Sequence, residues 1–225
     1  MCYSAQAWAD YRRYTKTFGA SLSIGDYIKL FGDRARGAKI KIPKAMSDAF
    51  LHPATEPERE AKAFIDAFNA EQATALEQEL IKQKERVADA ERVLAGPKPT
   101  KKASENQRVA TSKIPDLQRK LTDLHRTTPK PRDERIFPDS FATVMLVLDG
   151  QKVVMPMRYH CRPAGIPASI DRTRDGRVSG TYNARRDNLQ RFWRNQFGHT
   201  HAVIVVNKFY ENVARHTMEH RELGP

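Results

Sequence analysis

Between Ala73 and Leu94 the apolar positions recur at steps of three and four: Ala73, Leu76, Leu80, Val87, Ala90 and Leu94, with Gln83 the polar member of the series. That spacing is a heptad, and it predicts a long helix whose stripe faces a partner helix. Thr55 and Glu58 stand ahead of it at capping-box spacing, with Pro57 tolerated in the first turn. The "GPKP" at 96–99 ends the helix. A second helix is predicted from Ser104, with Gln107 completing another capping box and Leu117, Leu121 and Leu124 continuing the stripe. Pro115 is expected to kink or restart it. Residues 55–130 therefore predict a helical hairpin of antiparallel coiled-coil type.

The flanking pattern differs. Residues 5–36 read as helical, "AQAWADYRRYTKTFG" then "SIGDYIKLFGDRARG", with Ser23 capping the second helix and Gly32 and Gly37 punctuating its end. Pro43 in "KIKIPKAM" marks a turn or strand edge. The "TTPKPRDER" at 127–135 reads as a linker, and beyond it the period becomes that of β structure. "FATVMLVL" and "QKVVMPMRY" flank Asp149-Gly150, a hairpin signal. "GTYNARRDNLQRFWRNQFG" predicts a loop running into a helix, and "HAVIVVNKFYENV" a buried strand. The expected fold class is α/β (α+β): a body of residues 1–54 and 131–225, with the hairpin of 55–130 inserted.

No stretch of the 225 residues approaches the roughly 20 apolar positions of a membrane span, so no membrane partner is expected. The first residues turn polar at once, without the apolar core of a secretory leader. Two cysteines make no disulfide framework, which points to a reducing cytoplasm. Neither a zinc-type Cys/His spacing nor a glycine-rich phosphate loop is present, so no metal and no cofactor are expected. The net charge of +12 and pI near 9.8 point to a polyanionic partner, most simply nucleic acid.

Cys2 directly follows the initiator methionine. Removal of Met1 would leave an amine and a thiol on one residue, with ordinary pKa values of about 7.7–8.0 and 8.5. Such an aminothiol condenses with an aldehyde to an imine, and the thiol then closes a five-membered ring. Residues 158–194 are rich in arginine, with Tyr182, Phe192 and Trp193 interleaved. Guanidinium forks suit phosphates and aromatic rings suit unpaired bases, although Trp193 also reads as a core residue of a helix. Glu211, after an apolar strand, is expected to be partly buried, with a raised pKa suited to acid–base work. Asn183 offers an amide that can donate or accept.

Taken with the Met-Cys start, "YNARRDNL" and "VVNKFYEN" resemble motifs of the SOS-response-associated peptidase (SRAP) family of abasic-site processing proteins. "VVMPMRYHCRPAG" falls where that family has a Trp-Gly-x-x-Pro segment, and "KIPKAM" resembles its Pro-containing strand. The resemblance covers roughly residues 1–45 and 140–215. It implies a β-barrel-type sheet with flanking helices and a basic groove for single-stranded DNA. It implies that Cys2, freed of Met1 by itself or by an aminopeptidase, crosslinks to the abasic-site aldehyde as a thiazolidine. Asn183 would position the sugar, Glu211 would assist ring opening, and Arg185 would contact phosphate. Arg186, Arg158, Arg162, Trp193 and Pro43 are the further DNA-binding candidates, and the expected setting is cytoplasmic and nucleoid-associated. The sequence departs from the family at Tyr3, where Gly is usual, and at Asn212, where Trp is usual. His216 and His220 follow Glu211 too closely to match the family histidine, so the family domain is expected to continue beyond residue 225. Two other readings stay open. One is a thiol peptidase acting through Cys2; the other is a non-enzymatic scaffold binding nucleic acid or a protein through the basic hairpin.

Overall fold

A computed structural model describes residues 4–163, 165–199 and 201–211. The chain divides into two units, Met1–Lys62 with Pro129–Pro225, and Ala63–Thr128.

The first unit combines three short helices with seven strands. The helices are α1 (Tyr11–Phe18), α2 (Ile24–Ala35) and α3 (Lys44–Asp48). The strands are β1 (Ser4–Ala7), β2 (Ser21–Leu22), β3 (Arg135–Ile136), β4 (Phe141–Leu148), β5 (Gln151–Arg158), β6 (Ala202–Val203) and β7 (Val206–Tyr210). They form two sheets, ordered β3-β1-β7 and β2-β5-β4-β6. All pairings are antiparallel except β2 with β5. Among the described residues these sheets stay separate and do not close, so the expected barrel-type sheet is corrected to two open sheets.

Local chemistry explains the elements that the pattern predicted. Asp10 caps α1 by accepting from the Arg12 N–H at 2.9 Å, and Gly19 ends it at φ 65°, a left-handed conformation that glycine adopts at little cost. Asp149 and Gly150 both have positive φ, 50° and 78°, which is the type I′ geometry of a two-residue hairpin, and they set Leu148 opposite Gln151. Pro43 stands at the N-terminus of α3, just after Lys41 bridges Ser140.

Three expectations are corrected. Residues 5–7 are strand, not helix: β1 is the central strand of its sheet, and pairing on both sides outweighs the helix propensity of two alanines. Residues 189–199 form turns of mixed span rather than a helix; Trp193 N–H bonds back to Asn188 and Phe197 N–H to Trp193. Phe192 and Phe197 stay about half exposed, so that stretch lacks the buried face that sustains a short helix. The expected single buried strand at 201–213 is split between the sheets, with β6 on β4 and β7 on β1, and both are exposed. Residue 205 is the crossing point: its N–H donates to the Tyr14 hydroxyl at 3.1 Å, and its carbonyl accepts from the Trp8 N–H at 2.9 Å.

The core lies toward the N-terminal helices. Phe50 packs against Tyr11, Tyr27 and Phe31 with ring centroids 5.2–5.5 Å apart. The hydroxyls of Tyr27 and Tyr14 converge on β4. Tyr27 donates to the Thr143 hydroxyl at 3.2 Å, Tyr14 to the Thr143 carbonyl at 3.2 Å, and Thr143 to the Ala9 carbonyl at 2.7 Å. A smaller cluster of Ala7, Ile136, Ala142 and Val144 joins the two sheets, with Ile204 against it.

The second unit is helical. It holds most of α4 (Glu56–Leu94) and all of α5 (Lys101–His125). The predicted stripe is the less exposed face of α4, and Gln83 and Ala90 on it are buried. On α5 the matching heptad is Ala103, Gln107, Ala110, Ile114, Leu117, Leu121 and Leu124. Arg86 donates to Asn106 at 2.7 Å and Gln107 to Glu91 at 3.3 Å, which sets the antiparallel register. The second helix starts at Lys101 rather than Ser104, because Thr100 caps it by accepting from the Ala103 N–H. Pro115 lies within α5, where one lost backbone bond is offset by the continuous stripe. At the first cap, Thr55 accepts from Glu58 N–H, but the Glu58 carboxylate turns to Ala54 N–H and the Tyr11 hydroxyl instead of completing the box. Residues 63–128 carry twelve Lys and Arg against ten Asp and Glu, so the hairpin is nearly balanced and the excess charge belongs to the other unit. No described helix is long and apolar enough to cross a membrane.

Candidate functional site

One group of candidates gathers at the end of the β1–β7 ladder, where Ser4 pairs with Tyr210 and Glu211 follows directly. Glu211 is exposed, which corrects the expectation of partial burial. Cys2, Tyr3, Asn212, His216 and His220 lie outside the described residues. A cation also stands at this end. Arg135 of β3 donates from Nε and Nη2 to the buried Ser4 hydroxyl at 3.1 and 2.9 Å. Its guanidinium sits 4.2 Å from the Tyr210 ring centroid and 5.0 Å from that of Phe137. Sequence reasoning assigned Arg135 to a linker; a two-residue strand carries no periodicity from which to find it.

A second group surrounds the end of β5. Two nearly buried carboxylates organise it. Asp139 pairs with Lys41 at 3.7 Å, with Arg158 at 3.5 Å and with Arg172. Asp171 pairs with Arg158, with Arg162 at 3.2 Å and with His160 at 3.3 Å. Burial works to raise the Asp171 pKa, but the hydrogen bond and charge of Arg158, with the charges of Arg162 and His160, outweigh it and hold the carboxyl below its usual range. Burial lowers the His160 pKa against the pull of Asp171, which keeps the ring neutral near pH 7. Four cations around two anions leave this corner basic.

The same segment walls a cavity of about 550 Å³. Val144, Met157, Tyr159, Leu189, Trp193 and Phe197 make it largely apolar, and Arg158, His160, Arg162, Gln196 and His201 supply its polar groups. Trp193 is 5% exposed and meets Phe192 edge-on, so it is a cavity wall and not an open stacking platform. Arg185 and Arg186 lie elsewhere, on an open depression, where Arg185 pairs with Asp187 at 3.0 Å. Asn183 is half-buried, its Nδ2 has no hydrogen-bond partner, and its neighbour Ala184 lines the cavity. Its backbone N–H donates to the Gly180 carbonyl at 3.4 Å. Pro43 lines neither the cavity nor the Arg185 depression.

The structure thus brings Arg158, Arg162 and Trp193 round one cavity, and sets Glu211 with Arg135 at a sheet end. The second cysteine, Cys161, has its thiol pKa pushed up by burial, which leaves it protonated and weakly nucleophilic at neutral pH. Among the described residues no cluster of His, Cys, Asp or Glu is arranged to hold a metal ion. Comparison of the chain with family models, curated proteins and solved structures finds no match.

Proposed function

We propose that this protein captures abasic sites in single-stranded DNA by covalent bond formation at Cys2, as an SRAP-like protein acting on DNA in the cytoplasm. The reading rests above all on the pairing of Ser4 with Tyr210. The chain leading to Cys2 and the chain carrying Glu211 leave the same end of one sheet. Cys2 precedes Ser4 by two positions and Glu211 follows Tyr210 directly, which supports assigning both to one site. Arg135 adds a fixed cation there, suited to a phosphate oxygen.

In the proposed reaction the Cys2 amine adds to the C1′ aldehyde of the ring-opened sugar and water leaves, giving an imine. Sγ then bonds to the imine carbon, the thiol proton passes to nitrogen, and the thiazolidine closes. The sum is aldehyde plus aminothiol to ring plus water, and no oxidant is needed. Glu211, being exposed, shuttles the proton that opens the closed sugar. Asn183, Arg185 and the Arg158–Arg162 corner hold the strand. The test is the intact mass of the protein before and after incubation with single-stranded DNA carrying one abasic site. Loss of Met1 and a stable adduct on the parent, with no durable adduct on Cys2→Ala, are expected. An equal adduct on Cys2→Ala would overturn the reading.

A further inference from the structure

The cavity at the end of β5 holds polar groups that the crosslinking chemistry does not use. The His160 side chain is fully buried, and among the described residues its Nδ1 has no hydrogen-bond partner. Its Nε2 is 2.8 Å from the Thr181 hydroxyl and 3.3 Å from Asp171. We assign the proton of the neutral ring to Nε2, the nitrogen beside the Asp171 carboxylate, which leaves Nδ1 as an acceptor. Gln196 Oε1, on the same cavity wall, is a second buried acceptor without a partner. An unsatisfied buried polar group costs about 1–3 kcal/mol, so two on one cavity wall are what a bound ligand would relieve. The volume, the aromatic wall and the few polar groups suit a flat heterocycle.

Two acceptors select among the bases. Guanine offers two donors, N1–H and the 2-amino group, and one acceptor, O6. Thymine and cytosine each offer a single donor group with two acceptors, and adenine one of each. From this complementarity we infer that the cavity is a second DNA subsite, which takes up an unpaired guanine with the two donors of its Watson–Crick edge on His160 and Gln196. Arg158 and Arg162 stand at the wall with guanidinium groups for the flanking phosphates. The inference rests on the proposed function only in taking single-stranded DNA as the partner.

The probe is therefore DNA without an abasic site. Short oligothymidylates carrying one central guanine, one inosine, or thymine alone are compared by fluorescence anisotropy with the Cys2→Ala protein, which cannot crosslink. Inosine differs from guanine only in lacking the 2-amino group, so the comparison does not depend on any variant folding. Losing one hydrogen bond to a buried acceptor predicts about tenfold weaker binding for inosine than for guanine. Gln196→Leu should bring guanine and inosine together while leaving the all-thymine strand unchanged. Affinities within twofold for all three strands, or a guanine preference that survives Gln196→Leu, would overturn the subsite. If guanine is preferred while the parent fails to crosslink abasic DNA, the subsite stands and the proposed chemistry falls. The reverse pattern removes the subsite alone.

Discussion

Asp171→Asn isolates the charge that organises the basic corner while keeping the side chain's shape. Asp171 is 5% exposed and holds Arg158, Arg162 and His160. Breaking a fully buried ion pair costs about 3–5 kcal/mol, because the remaining charge stays desolvated. Here the two arginines are 30% and 37% exposed, and water screens part of that loss. We therefore expect about 2 kcal/mol. For a chain of this size that lowers the thermal midpoint by about 4–8 °C at pH 7. The pH dependence fixes the cause. The folded Asp171 pKa lies below the unfolded value of about 3.9, so its contribution is present above pH 4 and is lost as pH falls through the folded value. The gap between parent and variant should narrow on going from pH 7 to pH 3. Circular dichroism melts at the two pH values decide it. Equal midpoints at pH 7, or a gap undiminished at pH 3, would refute the argument that a counter-charge, rather than shape, is what Asp171 supplies.

Other perturbations address the remaining parts. Gln83→Leu removes a buried amide whose Oε1 has no partner, and should raise the melting midpoint by an amount worth about 1 kcal/mol; a lower midpoint would mean that the amide is satisfied. Arg135→Ala should slow crosslinking to abasic single-stranded DNA and make it less salt-sensitive, by about one phosphate contact; an unchanged salt slope would place the DNA elsewhere. Glu211→Gln should slow crosslinking by about 10–100-fold while the final yield approaches the parent's, read from a denaturing-gel time course. A parental rate would leave Glu211 as a strand-end residue only.

What the sequence made legible was local. The heptad from Ala73 to Leu94 needs only the helix period to be read, and Gln83 appeared as its polar member before its burial was known. Asp149-Gly150 encodes its hairpin in two residues. By contrast, β1, β3 and β7 are two to five residues long and pair across more than a hundred positions, so no window contains their partners. Arg135 was missed for that reason. The Arg-rich stretch was visible, but its organising acids were not: Asp139 and Asp171 lie on separate loops and meet the arginines only in the fold. Glu211 was expected to be partly buried because its strand is apolar. That strand lies on an open face, so composition misled.

The two ends of the globular unit are held by different forces. Tyr11, Tyr14, Tyr27, Phe31 and Phe50 are essentially fully buried, and their packing and hydroxyls fix α1, α2 and β4. All five residues of β7 are exposed. That strand is held by its ladder to β1, by the Trp8–Asn207 hydrogen bond and by Arg135 against Tyr210. The corner around Asp171 is held by ion pairs. Segments with little apolar burial open at lower free energy than the core. For reversible binding that is a handicap, since each ordered side chain must be offset by contact energy. For the chemistry proposed it is not: once the thiazolidine closes, residence is set by covalent bonds rather than by buried area. On the function proposed, the exposed end of this sheet can therefore stay open to a bulky strand of DNA, provided that the ladder holds Ser4 opposite Tyr210 long enough for the aldehyde to arrive.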